Sequence, residues 1–108
     1  MSKISFKEFQ QVEMKAAEIL SVEDHPNADK LYVLQVDLGD GDKRQLVAGI
    51  REDYGKDELV GKKIIVVSNL EPANLRGVES QGMLLAAQGE NKIELLTVED
   101  TKNGSKVL

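Results

Sequence analysis

The sequence predicts a small all-β fold, a barrel or a sandwich. Short apolar segments of strand length recur along the chain, several with strict alternation or a β-branched run. Gly, Pro, Asn and Asp turn signals separate them at close spacing. Helical periodicity is almost absent. With 108 residues, one domain spanning 1–108 is expected.

In order, Ser5 with Glu8 three residues on reads as a capping box, which predicts a short helix over 6–10. Residues 12–25 read as a long strand. Its apolar phase slips by one near Ala17–Ile19, where a bulge would restore it. "HPNAD" is a turn, with Pro26 fixing φ and Asn27 and Asp29 able to bond nearby backbone. Residues 30–38 alternate cleanly: Tyr32, Leu34, Val36 and Leu38 share the more apolar face. "GDGDK" is a hairpin turn, and 44–50 form the next strand. Lys56 to Leu59 make one helical turn, and 62–70 form a strongly β-branched strand. Residues 71–82 are expected to be an irregular loop. Residues 83–88 and 92–98 read as strands joined by a turn at Gly89. The tail is polar until Val107 and Leu108.

Strand, strand, strand, helical turn, strand, strand is the order of a five-stranded OB-fold barrel, here with a short N-terminal helix and a C-terminal extension. Periodicity serves a small sandwich equally well.

Composition excludes several classes. There is no cysteine, hence no disulfide framework and no thiolate metal site. No apolar run approaches a membrane span, and the first residues lack a signal-peptide core, so a cytoplasmic protein with no membrane partner is expected. The formal charge is −5, unlike the usual basic excess of a nucleic-acid binder. The charge is uneven, however. Residues 43–83 hold seven Lys or Arg against six acids, whereas residues 1–42 hold four Lys against nine. Any basic face is drawn mainly from the middle of the chain.

Catalytic chemistry finds no support. His25 is the single histidine, set beside Asp24 in a proline turn, and no nucleophile or metal set accompanies it. Asp40-Gly41-Asp42 lacks the later Glu of a calcium loop. No phosphate-cradling GxxxxGK is present. No catalytic residue, metal site or cofactor is expected, and the chain alone is not an enzyme.

Binding is better served. Arg44 begins one strand, Arg51 follows its end, and Arg76 flanks a glycine-bounded loop. If barrel closure gathers these strand ends, the three meet around one patch with Lys30 and Asn69. Ser80 and Gln81 lie between Gly77 and Gly82, either as binding side chains or as a bulge satisfied within the chain, and Met83 follows as a contact or a core gap-filler.

At these residues a resemblance appears. "HPNADKLYVLQVDLGD", "LVAGI" and "LVGKKIIVVSNLEPANLRGVESQGMLLAA" resemble the tRNA-binding domain family over about residues 8 to 108. That family includes a free-standing tRNA-binding protein, the C-terminal part or β subunit of methionyl-tRNA synthetases, and a synthetase-associated cytokine precursor. Two features depart from it: Lys15-Ala16-Ala17 stands where many members have Arg-Val-Gly, and the strong basic excess of some members is missing.

The resemblance implies an OB-fold, homodimerisation, and tRNA binding by shape rather than by anticodon sequence. It implies an RNA-facing set of Lys15, Asn27, Lys30, Asn69, Arg76, Ser80, Gln81 and Met83, to which Arg44 and Arg51 are added from their strand-end positions. Ser80 and Gln81 would bond phosphate or ribose as exposed side chains, and Glu79 would turn inward or pair with Arg76. The chain would raise tRNA affinity for a methionyl-tRNA synthetase catalytic part, in cis or in trans. The starting Met fits either a separate small subunit or an excised domain. A protein-interaction or chaperone-like module on the same barrel is the rival, and a structural dimerisation domain a third possibility.

Overall fold

A computed structural model describes residues 2–108; Met1 lies outside the described residues. The elements run α1 (Phe6–Phe9), β1 (Met14–Asp24), β2 (Tyr32–Asp37), β3 (Lys43–Ala48), α2 (Lys56–Leu59), β4 (Lys63–Val67), β5 (Ala73–Leu75), β6 (Val78–Ser80), β7 (Met83–Leu84), β8 (Ala86–Gln88), β9 (Ile93–Leu95) and β10 (Thr97–Val98). The main sheet is ordered β10-β4-β1-β2-β3, and all its pairs are antiparallel. Beside β4, the outer position is shared: β7 pairs with its Val66–Val67 half and β10 with its Lys63–Ile64 half. The result is a nearly closed five-stranded barrel of the OB kind, with a short N-terminal helix.

The predicted faces are the observed ones. Tyr32, Leu34, Val36 and Leu38 all point into the core, where they meet Ile19, Leu46, Leu59, Ile64 and Val66. β1 serves both sides of the barrel because it is long: Met14–Glu18 pair with β4, and Glu18–Asp24 pair with β2. Its register shift falls between Ile19 and Ser21, slightly later than the sequence phase suggests. The α1 capping box forms, with the Glu8 amide donating to Ser5 Oγ at 3.0 Å and the Ser5 amide to Glu8 Oε1 at 3.1 Å.

Two regions differ from expectation. Residues 71–82 are not an irregular loop. They contain the β5–β6 hairpin, turned by Arg76 and Gly77 at φ +56° and +93°, the signature of a type I′ turn. Arginine is rarely found with positive φ, which hides this turn in the sequence. The last two strands are each split in two. At the breaks, the Leu85 amide donates to Ile65 O and the Leu96 amide to Leu85 O.

The tail is a structural extension. The Gly104 and Val107 amides donate to Ala16 O and Met14 O, and the Ala16 amide donates to Ser105 O. This is possible because Gly39 and Gly104 touch backbone to backbone. A Cβ on either would fall inside the shell of the other segment's carbonyl, and both residues have φ near +90°.

Candidate nucleic-acid interface

Barrel closure defines the first part of the site. The free edge of β3 faces the chain at 80–82, and side chains replace part of a backbone ladder there. Ser80 Oγ accepts the Val47 amide at 3.0 Å and donates to Gly82 O at 2.9 Å. Gln81 Oε1 accepts the Gln45 amide at 3.0 Å, while the Gln81 amide donates to Gln45 O at 2.8 Å. Gln45 Nε2 also donates to Glu79 O at 2.8 Å. The expectation of an exposed Ser80 is therefore corrected: it is 4% exposed, because the seam needs its hydroxyl in both roles. Gln81 is half-buried, with its Oε1 committed to the Gln45 amide and its Nε2 without a hydrogen-bond partner among the described residues. Met83 is 51% exposed, so it does not fill the core. Glu79 is exposed and forms no ion pair among the described residues, so neither alternative foreseen for it holds.

The cations do not gather in one patch. β3 alone spans about 17 Å at ~3.4 Å per residue; Arg44 is its second residue and Arg51 lies three residues past its far end. Each takes partners at its own end. Arg44 lies opposite the fully buried Val36, and Lys15 opposite the fully buried Val66, so both occupy core-facing positions at the sheet margin. Arg44 grips Asp42 with two bonds of 3.0 and 3.1 Å, and also donates to the Ser68 carbonyl. Ser68 Oγ donates to Glu13 Oε1 at 2.7 Å, and Glu13 lies 3.6 Å from Lys15 Nζ. The Ser68 hydroxyl first, and the Lys15 charge next, hold the Glu13 carboxyl below the ordinary glutamate value. Asn69 pins the same corner, accepting the Glu13 amide at 2.8 Å and donating to Gln11 O at 2.6 Å. Lys15, Arg44 and Asn69 thus build a polar plug with Glu13 and Asp42.

The second group sits where the β1–β2 turn meets the β5–β6 hairpin. Arg76 donates to Asn27 O at 3.1 Å. Asn27, Lys30 and Arg76 line a shallow depression of about 440 Å³, together with Ala28, Asp29 and Leu31. The Lys30 side chain is 79% exposed and only loosely paired with Glu52, at 3.8 Å. Arg51 does not line this depression; it lies 3.4 Å from Asp24, which also takes Lys56 at 3.2 Å.

Sequence reading missed three contributors. Gln45 organises the seam, and nothing in its position announced that. Glu13 and Asp42 each stand two residues before a cation, and the two-residue strand period puts such pairs on one face, so that signal was available. Lys106 pairs opposite Lys15 across the tail, a long-range contact without a local sign.

In an OB barrel, the loops between strands one and two and between strands four and five flank the ligand-binding face. Here those loops are joined and carry amide and cationic side chains, with the exposed Met83 nearby in sequence on β7. Residues 14–106 match the family described as "Putative tRNA binding domain", and the chain belongs to that family. It is 51% identical over 108 residues to the methionine–tRNA ligase of Pyrococcus furiosus, covering 99% of this chain but only 15% of that protein. Among solved structures, it superposes on a MetRS related protein from Pyrococcus horikoshii with a TM-score of 0.93 and 38% identity, over the full length of both chains. The CsaA chaperone protein from Picrophilus torridus gives a TM-score of 0.92 and 30% identity, covering 98% of this chain and all of that one.

Proposed function

We propose that residues 1–108 form one tRNA-binding domain that grips tRNA by shape, with little dependence on sequence, and performs no chemistry itself. Its role is to raise the local concentration of tRNA at a methionyl-tRNA synthetase catalytic part, in cis or in trans, in the cytoplasm. No cofactor or metal enters this reading. The observation that carries it is the junction of the two loops flanking the barrel's binding face, which holds Asn27, Lys30 and Arg76 together. Arg51 adds a cation outside this depression. Gln81 Nε2 and Met83 extend it along the seam, with Ser80 setting their position from beneath. Lys15 and Arg44 act from the plug at the barrel end, in reach of phosphate only where Glu13 and Asp42 yield, and Asn69 acts beside them once it releases its backbone partners. Phosphate, ribose and shape contacts of this kind suit structured RNA.

The domain is proposed to work as a homodimer. Phe6 is 72% exposed, and with Phe9, Val12, Met14, Val107 and Leu108 it lines a mainly apolar groove to which Gln10 and Lys106 add polar side chains. A two-fold pairing through that groove covers these side chains and doubles the RNA-facing surface. Sedimentation equilibrium at micromolar concentration reads the mass directly, and a clean single-chain mass removes the dimer.

Affinity for tRNA, duplex RNA and single strands, each measured across a salt series, tests the central reading. tRNA is expected to bind best, and equal binding to all three removes shape recognition. A chaperone-like role is the second reading, favoured by the CsaA likeness and the acidic charge. Suppression of a client protein's aggregation, with no tRNA binding at any salt, would establish it instead.

A further inference from the structure

We infer that His25 is a positioning residue for the RNA-binding surface, locking the β1–β2 turn to the β5–β6 hairpin through both nitrogens of its ring. This rests on the tRNA-binding reading above. His25 is 4% exposed, so its polar atoms must be satisfied from within the protein. Its Nδ1 lies 2.9 Å from the Asn27 amide nitrogen, and its Nε2 lies 2.8 Å from Leu75 O. The amide can only donate, so Nδ1 is the acceptor. The carbonyl can only accept, so Nε2 carries the proton. A neutral imidazole offers one donor and one acceptor, and both are used.

The consequence is a clasp between segments some 50 positions apart. The His25 amide closes its own turn by donating to Leu31 O at 3.1 Å. The ring then reaches across to the last residue of β5. From the other side, Arg76, the next residue, donates to Asn27 O at 3.1 Å. The hairpin tip is fixed in turn by Asn74 Oδ1, which accepts the Gly77 amide at 2.9 Å. Asn27 and Arg76 are thereby held together at one depression. Without the ring, the Leu75 carbonyl and the Asn27 amide lose their partners, and among the described residues the Arg76 bond is the side-chain hydrogen bond left between the hairpin and the turn.

A histidine buried merely to satisfy two backbone groups would contribute to folding alone. A positioning residue acts on binding through the hairpin it holds, so its effect must depend on Arg76. The test is tRNA titration of the full chain as wild type, His25→Gln, Arg76→Ala and the double variant. His25→Gln is expected to weaken binding about tenfold, the scale of one well-placed hydrogen bond. In the Arg76→Ala background the same change is expected to cost less than about twofold, a non-additivity that marks coupled residues. A wild type that ignores tRNA overturns the RNA reading itself. A wild type that binds, with His25→Gln harmless or equally costly in both backgrounds, overturns the positioning role and leaves the RNA reading standing. Ineffectual Arg76→Ala does the same. Should His25→Gln not fold, nitrogen-15 spectra of the wild type decide, because His25 is the single histidine. A bare Nδ1 with protonated Nε2, unchanged on adding tRNA, is expected; the opposite tautomer overturns the clasp.

Discussion

The Ser80 hydroxyl occupies the place of a strand carbonyl opposite Val47, accepting a hydrogen bond from its amide at 3.0 Å and donating one to Gly82 O at 2.9 Å. Removing it strands a buried donor at the barrel seam. Ser80→Ala should therefore destabilise the fold by roughly 1–3 kcal/mol. Gln81→Ala should cost only about 1 kcal/mol, since the Gln81 amide still bonds Gln45 O. Urea unfolding midpoints measure both, and an unchanged midpoint for Ser80→Ala would refute the seam role.

Met83 should separate binding from folding. It sits on β7 opposite Val67 with half of its surface exposed. Met83→Ala is expected to reduce tRNA affinity by about 1–2 kcal/mol, the scale of one apolar side chain leaving water. The melting temperature should barely move, whereas a core methionine would cost roughly 2–5 kcal/mol.

Most of the fold was legible because its signals are local. The alternation at 32–38, the capping box at Ser5 and the β-branched run of β4 each state their structure within a few residues. The β5–β6 hairpin was not legible, because its turn places an arginine where glycine or asparagine is usual. The site was half legible. Lys30, Asn27 and Arg76 could be named, but their convergence depends on a histidine ring bonding across 50 positions. Ser80 misled because a serine between glycines reads as solvated loop, and only the unpaired edge of β3 claims its hydroxyl.

Replacing Gly104 with Ala should peel the tail from β1. The new methyl group would strike the Leu38 carbonyl, and a residue with φ of +90° is strained with any side chain. Faster hydrogen exchange is expected at the Ala16 and Val107 amides, with the β2–β3 amides unaffected. If the tail carries part of the dimer groove, the same variant shifts sedimentation toward the single chain.

Acid should act through Glu13. Its carboxyl titrates below its ordinary range in the folded state, first through the Ser68 hydroxyl and then through Lys15. The folded value lies under the unfolded one, so the stabilisation is complete above the ordinary glutamate range. It is lost as the pH falls through the lower, folded value. Glu13→Gln should therefore lose less stability than the wild type over that descent. Denaturant midpoints across a pH series compare them, and parallel curves would exclude Glu13.

The two cation groups should respond differently. Lys30→Ala and Arg76→Ala should each lower the salt slope of tRNA binding by about 0.7–0.9, one phosphate contact apiece, with stability nearly unchanged. Arg44→Ala should instead cost roughly 1–2 kcal/mol of folding, because Asp42 and the Ser68 carbonyl lose their partner.

Five side-chain cations around the proposed surface already hold a carboxylate: Lys15, Lys30, Arg44, Arg51 and Lys56. In effect the domain carries its own competitor. At these five positions an arriving phosphate must swap places with an aspartate or glutamate, and anion-for-anion exchange yields little net attraction; Arg76, which bonds the Asn27 carbonyl and holds no carboxylate among the described residues, needs no such exchange. Free phosphate and free nucleotides are then poor rivals, because each offers a single exchange at a time. A folded RNA that delivers several phosphates in the right places performs the exchanges together. On this view the acidity of the chain is a discrimination threshold, one that rewards the number and placement of phosphates over their mere presence.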